Sequence, residues 1–213
     1  MDKLYIVMLA YNEEDNIKNV VNQWYPILQS HDMNGEDRLV IIDDGSKDHT
    51  LAILNDLAKT RPLLKPLTKK NGGHGSTVLF GYRYAVANNA DFIFQTDSDG
   101  QTNPTEFEQF WQNRNQYDAI LGNRTNRQDG ASRKFVENTL RLILRMIFGV
   151  NVPDANAPLR LMRTELVKKY IDKMPVDYAL PNVMLTTYFF YFHENIKFLE
   201  ISFQNRQFMY EYN

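Results

Sequence analysis

The sequence contains no cysteine, which excludes disulfides, thiolate-ligated zinc and cysteine nucleophiles and fits a reducing compartment. It also lacks a strong charge of either sign. With a net charge of −2, nothing global attracts nucleic acid, which usually meets a basic face, and no nucleic-acid partner is expected. No apolar run reaches the ~18 residues needed to cross a bilayer. The nearest, Leu140 to Val150, is short and interrupted by arginine. Pro-Gly-Ser linkers, internal repeats and low-complexity tracts are absent too. Met1-Asp2-Lys3-Leu4-Tyr5 shows no basic-then-apolar secretory pattern, so the expectation is a cytoplasmic protein. What is present is an ordinary globular composition, 213 residues with 43% hydrophobic, enough to bury one sizeable core.

Short apolar runs alternate with longer amphipathic ones over the first ~120 residues, the pattern of strands joined by crossover helices in a mostly parallel sheet. Strands are expected at Tyr5–Ala10, Leu39–Asp43, Leu64–Thr68, Phe92–Thr96 and Ala119–Gly122. Asp15–Ser30, opened by a capping-type Asp, and Asp48–Lys59 carry apolar residues at helical spacing. Beyond Gly122 the alternation weakens, through a basic loop (Asn123 to Arg133) and an apolar helix (Phe135 to Phe148), and reads as an elaboration of the same domain.

In open parallel sheets ligands bind beyond the carboxyl ends of the strands, and the residues there are unusually polar. Phe92-Ile93-Phe94-Gln95-Thr96 delivers Asp97 and Asp99 into a glycine turn. Two carboxylates so spaced can converge on one hard cation and a diphosphate, since Mg²⁺ or Mn²⁺ takes one or two protein carboxylates and leaves other positions to water and phosphates. An ordinary solvated turn looks the same in isolation. Asp43-Asp44-Gly45-Ser46 ends another strand, where an aspartate accepts a base imide or ribose hydroxyl, or merely caps a helix. Tyr11 can stack on a base, and Glu13 can cap or bind ligand. Asn71-Gly72-Gly73-His74-Gly75 matches neither the Walker nor the dinucleotide pattern. It remains a loop whose amides can face an anion at a helix amino terminus, with His74 read as a solvent-facing loop residue. Arg124, Arg127, Arg133, Lys134, Arg141 and Arg145 make the next region locally basic. The helix carrying the last two either lies at a bilayer interface or packs in the core with its guanidiniums snorkelling outward.

Ala10-Tyr11-Asn12-Glu13-Glu14, Val40 to Ser46, Asn71-Gly72-Gly73, Gln95 to Gln101 and Gly122-Asn123-Arg124 resemble, in order and spacing, the family 2 glycosyltransferases of GT-A fold. Within that family the chain is most similar to the polyprenyl-phosphate sugar transferases, with support from Asp154 to Arg163 and from Ile201 to Gln207. The resemblance implies an α/β, Rossmann-like, mostly parallel central sheet flanked by helices, a single domain over 1–213, with a nucleotide-sugar half (1–122) and a smaller acceptor-side half (123–213). It implies a metal-dependent, inverting transfer from a UDP- or GDP-sugar to a lipid phosphate, with Mg²⁺ or Mn²⁺ and peripheral contact at the inner face of the membrane. Donor binding would fall to Ala10, Tyr11, Glu13, Asp43, Asp44, Asn71, Gly72, Asp97 and Ser98, and metal binding to Asp97, Asp99 and Gln101. Catalysis would fall to Asp99, Gln101, Asp154 and Arg160, and phosphates to Arg124, Arg133 and Arg206, with Arg160 assisting. Saccharide-transferring relatives place an acidic pair at the start of a later helix, where this chain has Ala179-Leu180-Pro181-Asn182 with Asp177 nearby. That favours an acceptor already anionic, with Asp154 as fallback base. Most lipid-phosphate relatives add further helices after the late arginine, where this sequence runs into Phe208 to Asn213. Transfer to a saccharide hydroxyl, and a nucleotide-sugar-binding protein without turnover, are the alternatives.

Overall fold

A computed structural model describes residues 2–124 and 131–202, the side chains of 131–137 excepted. Its centre is a seven-stranded sheet: β1 (Leu4–Ala10), β2 (Arg38–Asp43), β3 (Leu64–Thr68), β4 (Phe92–Asp97), β5 (Ala119–Arg124), β6 (Arg160–Arg163) and β7 (Ile196–Ile201), in the order β3-β2-β1-β4-β6-β5-β7. The helices are α1 (Ile17–His31), α2 (Thr50–Ala58), α3 (Gly73–Ala87), α4 (Phe107–Asn113), α5 (Ala131–Phe148), α6 (Thr164–Ile171) and α7 (Pro181–Tyr191). Parallel pairing runs from β3 through β2 and β1 to β4, and again between β5 and β7. β6 is antiparallel to both of its neighbours.

The period of two in β1 explains how one strand feeds two cores. Leu4, Ile6, Met8 and Ala10 face one side, with Trp24 and Leu28 of α1 and Phe107 and Phe110 of α4. Tyr5 and Val7 face the other, with Val78 and Tyr82 of α3, Tyr170 of α6 and Phe189 of α7. Covering both faces with helices is what a largely parallel sheet requires. Trp24, 2% exposed, packs on Phe94 of the central strand, and its truncation to alanine should cost about 3–5 kcal/mol.

All five expected strands form within one or two residues of their expected bounds. Three features depart from expectation. Asp15 does not cap α1; Asn16 holds the cap position, and the carbonyl of Glu13 accepts the first helical N–H groups. The basic-and-apolar stretch after Gly122 is no loose appendage, because β6 and β7 complete the sheet that the first half begins. β6 escaped notice because Arg160-Leu161-Met162-Arg163 is only four residues long and carries charge at both ends. Helix α5 packs in the core along one line and is exposed along another. Leu144 is buried in a small cluster with Val152 and Val183, while Leu142, Ile143, Met146 and Ile147 face outward.

Candidate nucleotide-sugar site

The loops beyond β1, β2, β3 and β4 are tied to one another by side-chain-to-backbone bonds. Asn12, in the left-handed region at φ +53°, receives a bond from the Lys47 N–H at 2.9 Å, and its own N–H donates to Ser46 Oγ at 2.9 Å. The N–H groups of Glu13 and Glu14 donate to Thr50 Oγ1 and Asp48 Oδ2. Tyr11 stands above this zip, 41% exposed, with a ring available for stacking.

Asp44 is the hub of the next tie. Its Oδ1 accepts from Lys69 Nζ at 2.6 Å and from the Gly72 N–H at 3.0 Å, while Oδ2 accepts from the Gly73 N–H at 2.8 Å. Burial alone would raise this carboxyl's pKa, but the Lys69 ammonium and the glycine amides hold it below the ordinary value. Gly45, at φ +68°, lets the loop pass so close that a Cβ would stand 2.9 Å from the Asn71 nitrogen. Asn71 Nδ2 completes the tie by donating to the Asp44 carbonyl at 2.9 Å.

In the Asp97-Ser98-Asp99 turn the middle residue points inward: Ser98 is 4% exposed and donates to the Leu9 carbonyl. Asn16 Nδ2 donates to the Ser98 carbonyl at 2.9 Å, and the Gln101 N–H donates to Asp99 Oδ1 at 3.0 Å. Asp97 and Asp99 are left half-buried at the strand end. His74, in the first turn of α3, brings Nε2 to 3.6 Å from Asp97 Oδ1. The neighbouring Asp97 carboxylate raises its pKa against the opposing effect of burial, with the charge of Asp99 adding to the rise. Among the described residues no group of three His, Asp or Glu side chains gathers closely enough to hold a cation unaided. Two carboxylates beside a glutamine are the donor set of a cation that completes its shell with ligand phosphates and water, so the residues fit Mg²⁺ or Mn²⁺ arriving with a diphosphate.

The acceptor side is built differently. Arg124, at the end of β5, forks onto Asp154 through Nε (2.7 Å) and Nη2 (2.9 Å), and the same Nη2 reaches the Asn156 carbonyl. Asp154 is 3% exposed. Arg141 of α5 donates to the Pro153 carbonyl next door. Gly75 at the start of α3 sits so tightly under residues 178–179 that a Cβ would lie 2.3 Å from the Ala179 carbonyl oxygen. The segment leading to α7 therefore presses directly on the glycine loop.

The Glycosyl transferase family 2 profile matches residues 5–171, spanning every donor-side loop described above. The chain is a family 2 glycosyltransferase. Undecaprenyl-phosphate 4-deoxy-4-formamido-L-arabinose transferase of Pectobacterium atrosepticum is 27% identical over 165 residues, 76% of this chain and 49% of that protein. The protein of the same name from Shewanella sediminis is 26% identical over 176 residues, 81% of this chain and 51% of that one. The chain thus spans about half the length of the curated relatives it matches. Among solved structures, glucosyl-3-phosphoglycerate synthase of Mycobacterium tuberculosis superposes with TM-score 0.69 at 18% identity, covering 97% of this chain and 74% of that one. S. aureus TarS 1-349 in complex with UDP-GlcNAc gives 0.65 at 22%, covering 98% and 60%. The fold is GT-A, as the motifs imply.

With the family in place, several residue expectations are redrawn by the structure. Ala10 is buried and its carbonyl accepts the Asp44 N–H, so it shapes the strand end and offers no side chain to a ligand. Asp43 turns to the Ser46 N–H and Thr68 Oγ1, bracing the turn from within. Ser98 is likewise internal. Both oxygens of Asp154 accept from Arg124. Arg160, expected at a phosphate, is 0% exposed and donates to the carbonyls of Ala157 and Ala155. Its burial lowers its pKa, although Tyr82, Asp154 and Asp97 oppose that effect. The side chain of Arg133, and Arg206 entirely, lie outside the described residues. The contact of His74 with Asp97 went unforeseen, because no sequence spacing places the start of α3 beside the end of β4.

Proposed function

We propose that this domain moves a sugar, with inversion, from a UDP-sugar to a polyprenyl phosphate, using a divalent cation at Asp97 and Asp99. UDP is chosen over GDP because the structural neighbours were captured with UDP and UDP-GlcNAc. The lipid acceptor is supported by relatives named for transfer to undecaprenyl phosphate, and a cation by the Mn²⁺ complex of the mycobacterial synthase.

The observation that carries the choice of acceptor is residue 182. Transfer to a hydroxyl needs a carboxylate near the attacking oxygen, and at the start of α7 this chain has the buried amide of Asn182. Asp154 is sealed in its ion pair, and the nearest other acid, Asp177, lies on an exposed turn. A phosphate monoester is already an anion near neutral pH and attacks without losing a proton to the protein.

Within this reading Tyr11 stacks on the base, and Asp44, by accepting the Gly72 and Gly73 N–H groups, fixes the glycine loop beside the donor. Asp97, Asp99 and Gln101 hold the cation, which when bound stabilises charge building on the leaving diphosphate. The exposed face of α5, with Leu142, Met146 and Ile147 at 56%, 68% and 68% and Arg145 beside them, meets the membrane that carries the acceptor. Among the described residues no helix is long and apolar enough to cross a membrane, so the contact is peripheral for this part of the chain. The test is incubation with radiolabelled UDP-sugars, Mn²⁺ and undecaprenyl phosphate. The reading expects label in the organic phase. Label only in water-soluble glycan moves the acceptor to a saccharide, and Mn²⁺-dependent UDP binding without transfer leaves a binding protein.

A further inference from the structure

Gln95 is a polar side chain buried in β4, 1% exposed between Phe94 and Thr96. Two buried side chains from two helices and the half-buried Asp97 of the same strand meet around it. Tyr82 of α3 lies 2.9 Å from Asn182 Oδ1 of α7, Asn182 Nδ2 lies 2.9 Å from Gln95 Oε1, and Gln95 Nε2 lies 3.3 Å from Asp97 Oδ1. The orientation of every member follows from the last one. An ionised carboxylate only accepts, so Gln95 must turn its nitrogen to Asp97 and its oxygen to Asn182. Asn182 must then offer its nitrogen to Gln95 and its oxygen to Tyr82, whose hydroxyl donates. Burial raises the pKa of that hydroxyl, which keeps it a donor. The bonds all run in one direction, and each polarises the next.

We propose that Tyr82, Asn182 and Gln95 form a directional hydrogen-bond relay that positions Asp97 for the donor's cation. The inference rests on the donor reading given under Proposed function. The relay and His74 both land on Oδ1, and among the described residues Oδ2 has no such contact. One oxygen is held by the protein while the other is presented at the mouth of the site. None of the three residues touches the ligand; they act through Asp97. The relay also gives Asn182, at the start of α7, a task toward Asp97. Here that position orients the donor side.

Two substitutions separate a relay from mere packing. Gln95→Met keeps the volume and removes the donor to Asp97. Asn182→Asp keeps the shape but reverses the polarity, because an aspartate cannot donate to Gln95. Gln95 would swing its nitrogen to the new carboxylate and turn its oxygen on Asp97, so the local bonds survive while Asp97 loses its donor. The measurement is calorimetric affinity for UDP with Mn²⁺ and with EDTA, beside urea unfolding of each variant. Both variants should lose ~10–100-fold in Mn²⁺-dependent affinity, the range for partners that orient a metal ligand, with metal-free affinity changed less than about twofold. If neither folds, Tyr82→Phe removes the hydroxyl that donates to Asn182 and, at 3.3 Å, to Gln95 Oε1, and should weaken Mn²⁺-dependent binding by about two- to threefold. Wild-type affinity in the variants overturns the relay, and so does equal loss with and without metal. A wild-type domain that binds UDP no better with Mn²⁺ overturns the donor reading itself.

Discussion

Around Asp97 and Asp99 the side chains close on one another, with Asn16, Ser98, Gln95 and His74 all fastened to that turn or to its carboxylate, whereas α5 turns Leu142, Ile143, Met146 and Ile147 to solvent. Between them lies the Arg124–Asp154 pair, charged but internally satisfied. The donor side is organised before any ligand arrives, which lowers the ordering cost of binding. The acceptor side holds charges against each other and leaves apolar surface uncovered, as a site completed by a second body would. That body is the membrane under the proposed function.

The largest expected break in this contrast is Asp99→Ala, which should lower Mn²⁺-dependent UDP affinity by about 100-fold or more, since outer-shell partners alone are worth ~10–100-fold. Calorimetry with Mn²⁺ measures it, and unchanged affinity removes Asp99 from the metal. Next comes Arg160→Ala. The fully buried guanidinium ties together the Ala155 and Ala157 carbonyls, so its loss should cost about 2–4 kcal/mol of stability in urea unfolding. Normal stability with lost turnover would return Arg160 to the phosphate.

A control comes from the far end of the sheet, where Asp37 is buried and accepts the Leu4 N–H at 2.7 Å. Burial raises its pKa from 3.8 to about 6. The folded state therefore binds this proton more tightly than the unfolded one, and its contribution to stability is lost as pH rises from about 4 to about 6. Asp37→Asn, compared with wild type between pH 4 and 7.5, should flatten that loss by about 1–3 kcal/mol and leave UDP affinity untouched. The smallest effect belongs to α5. Replacing Met146 and Ile147 by Ser should reduce flotation with anionic vesicles several-fold without moving UDP affinity, as loss of about 1–2 kcal/mol of buried apolar surface would.

Much of the donor side was legible in the sequence because it is local. A strand that runs into Asp97-Ser98-Asp99 announces the element, and five such strand ends in order announce the family. What was not legible is three-dimensional. Ser98 and Asp43 sit in polar motifs, and only the fold decides that they face inward. Gln95 is polar in a mostly apolar strand, and its partners Tyr82 and Asn182 lie 13 and 87 residues away in the chain. β6 was hidden by its length and its two arginines, and with it the burial of Arg160. The phosphate role of Arg160 came from the resemblance alone, and nothing in Ala157-Pro158-Leu159-Arg160-Leu161 announced that the sheet would close over it.

The account turns on an acceptor that needs no base, and the sharpest measurement offers the domain two lipids that differ only there. With a labelled UDP-sugar and Mn²⁺, equal amounts of a polyprenyl phosphate and the corresponding polyprenyl alcohol are presented in the same vesicles. Label on the phosphate and none on the alcohol is the predicted result. Label on the alcohol at a comparable rate would mean that a base exists, and would contradict the reading of Asn182 and Asp154 given above.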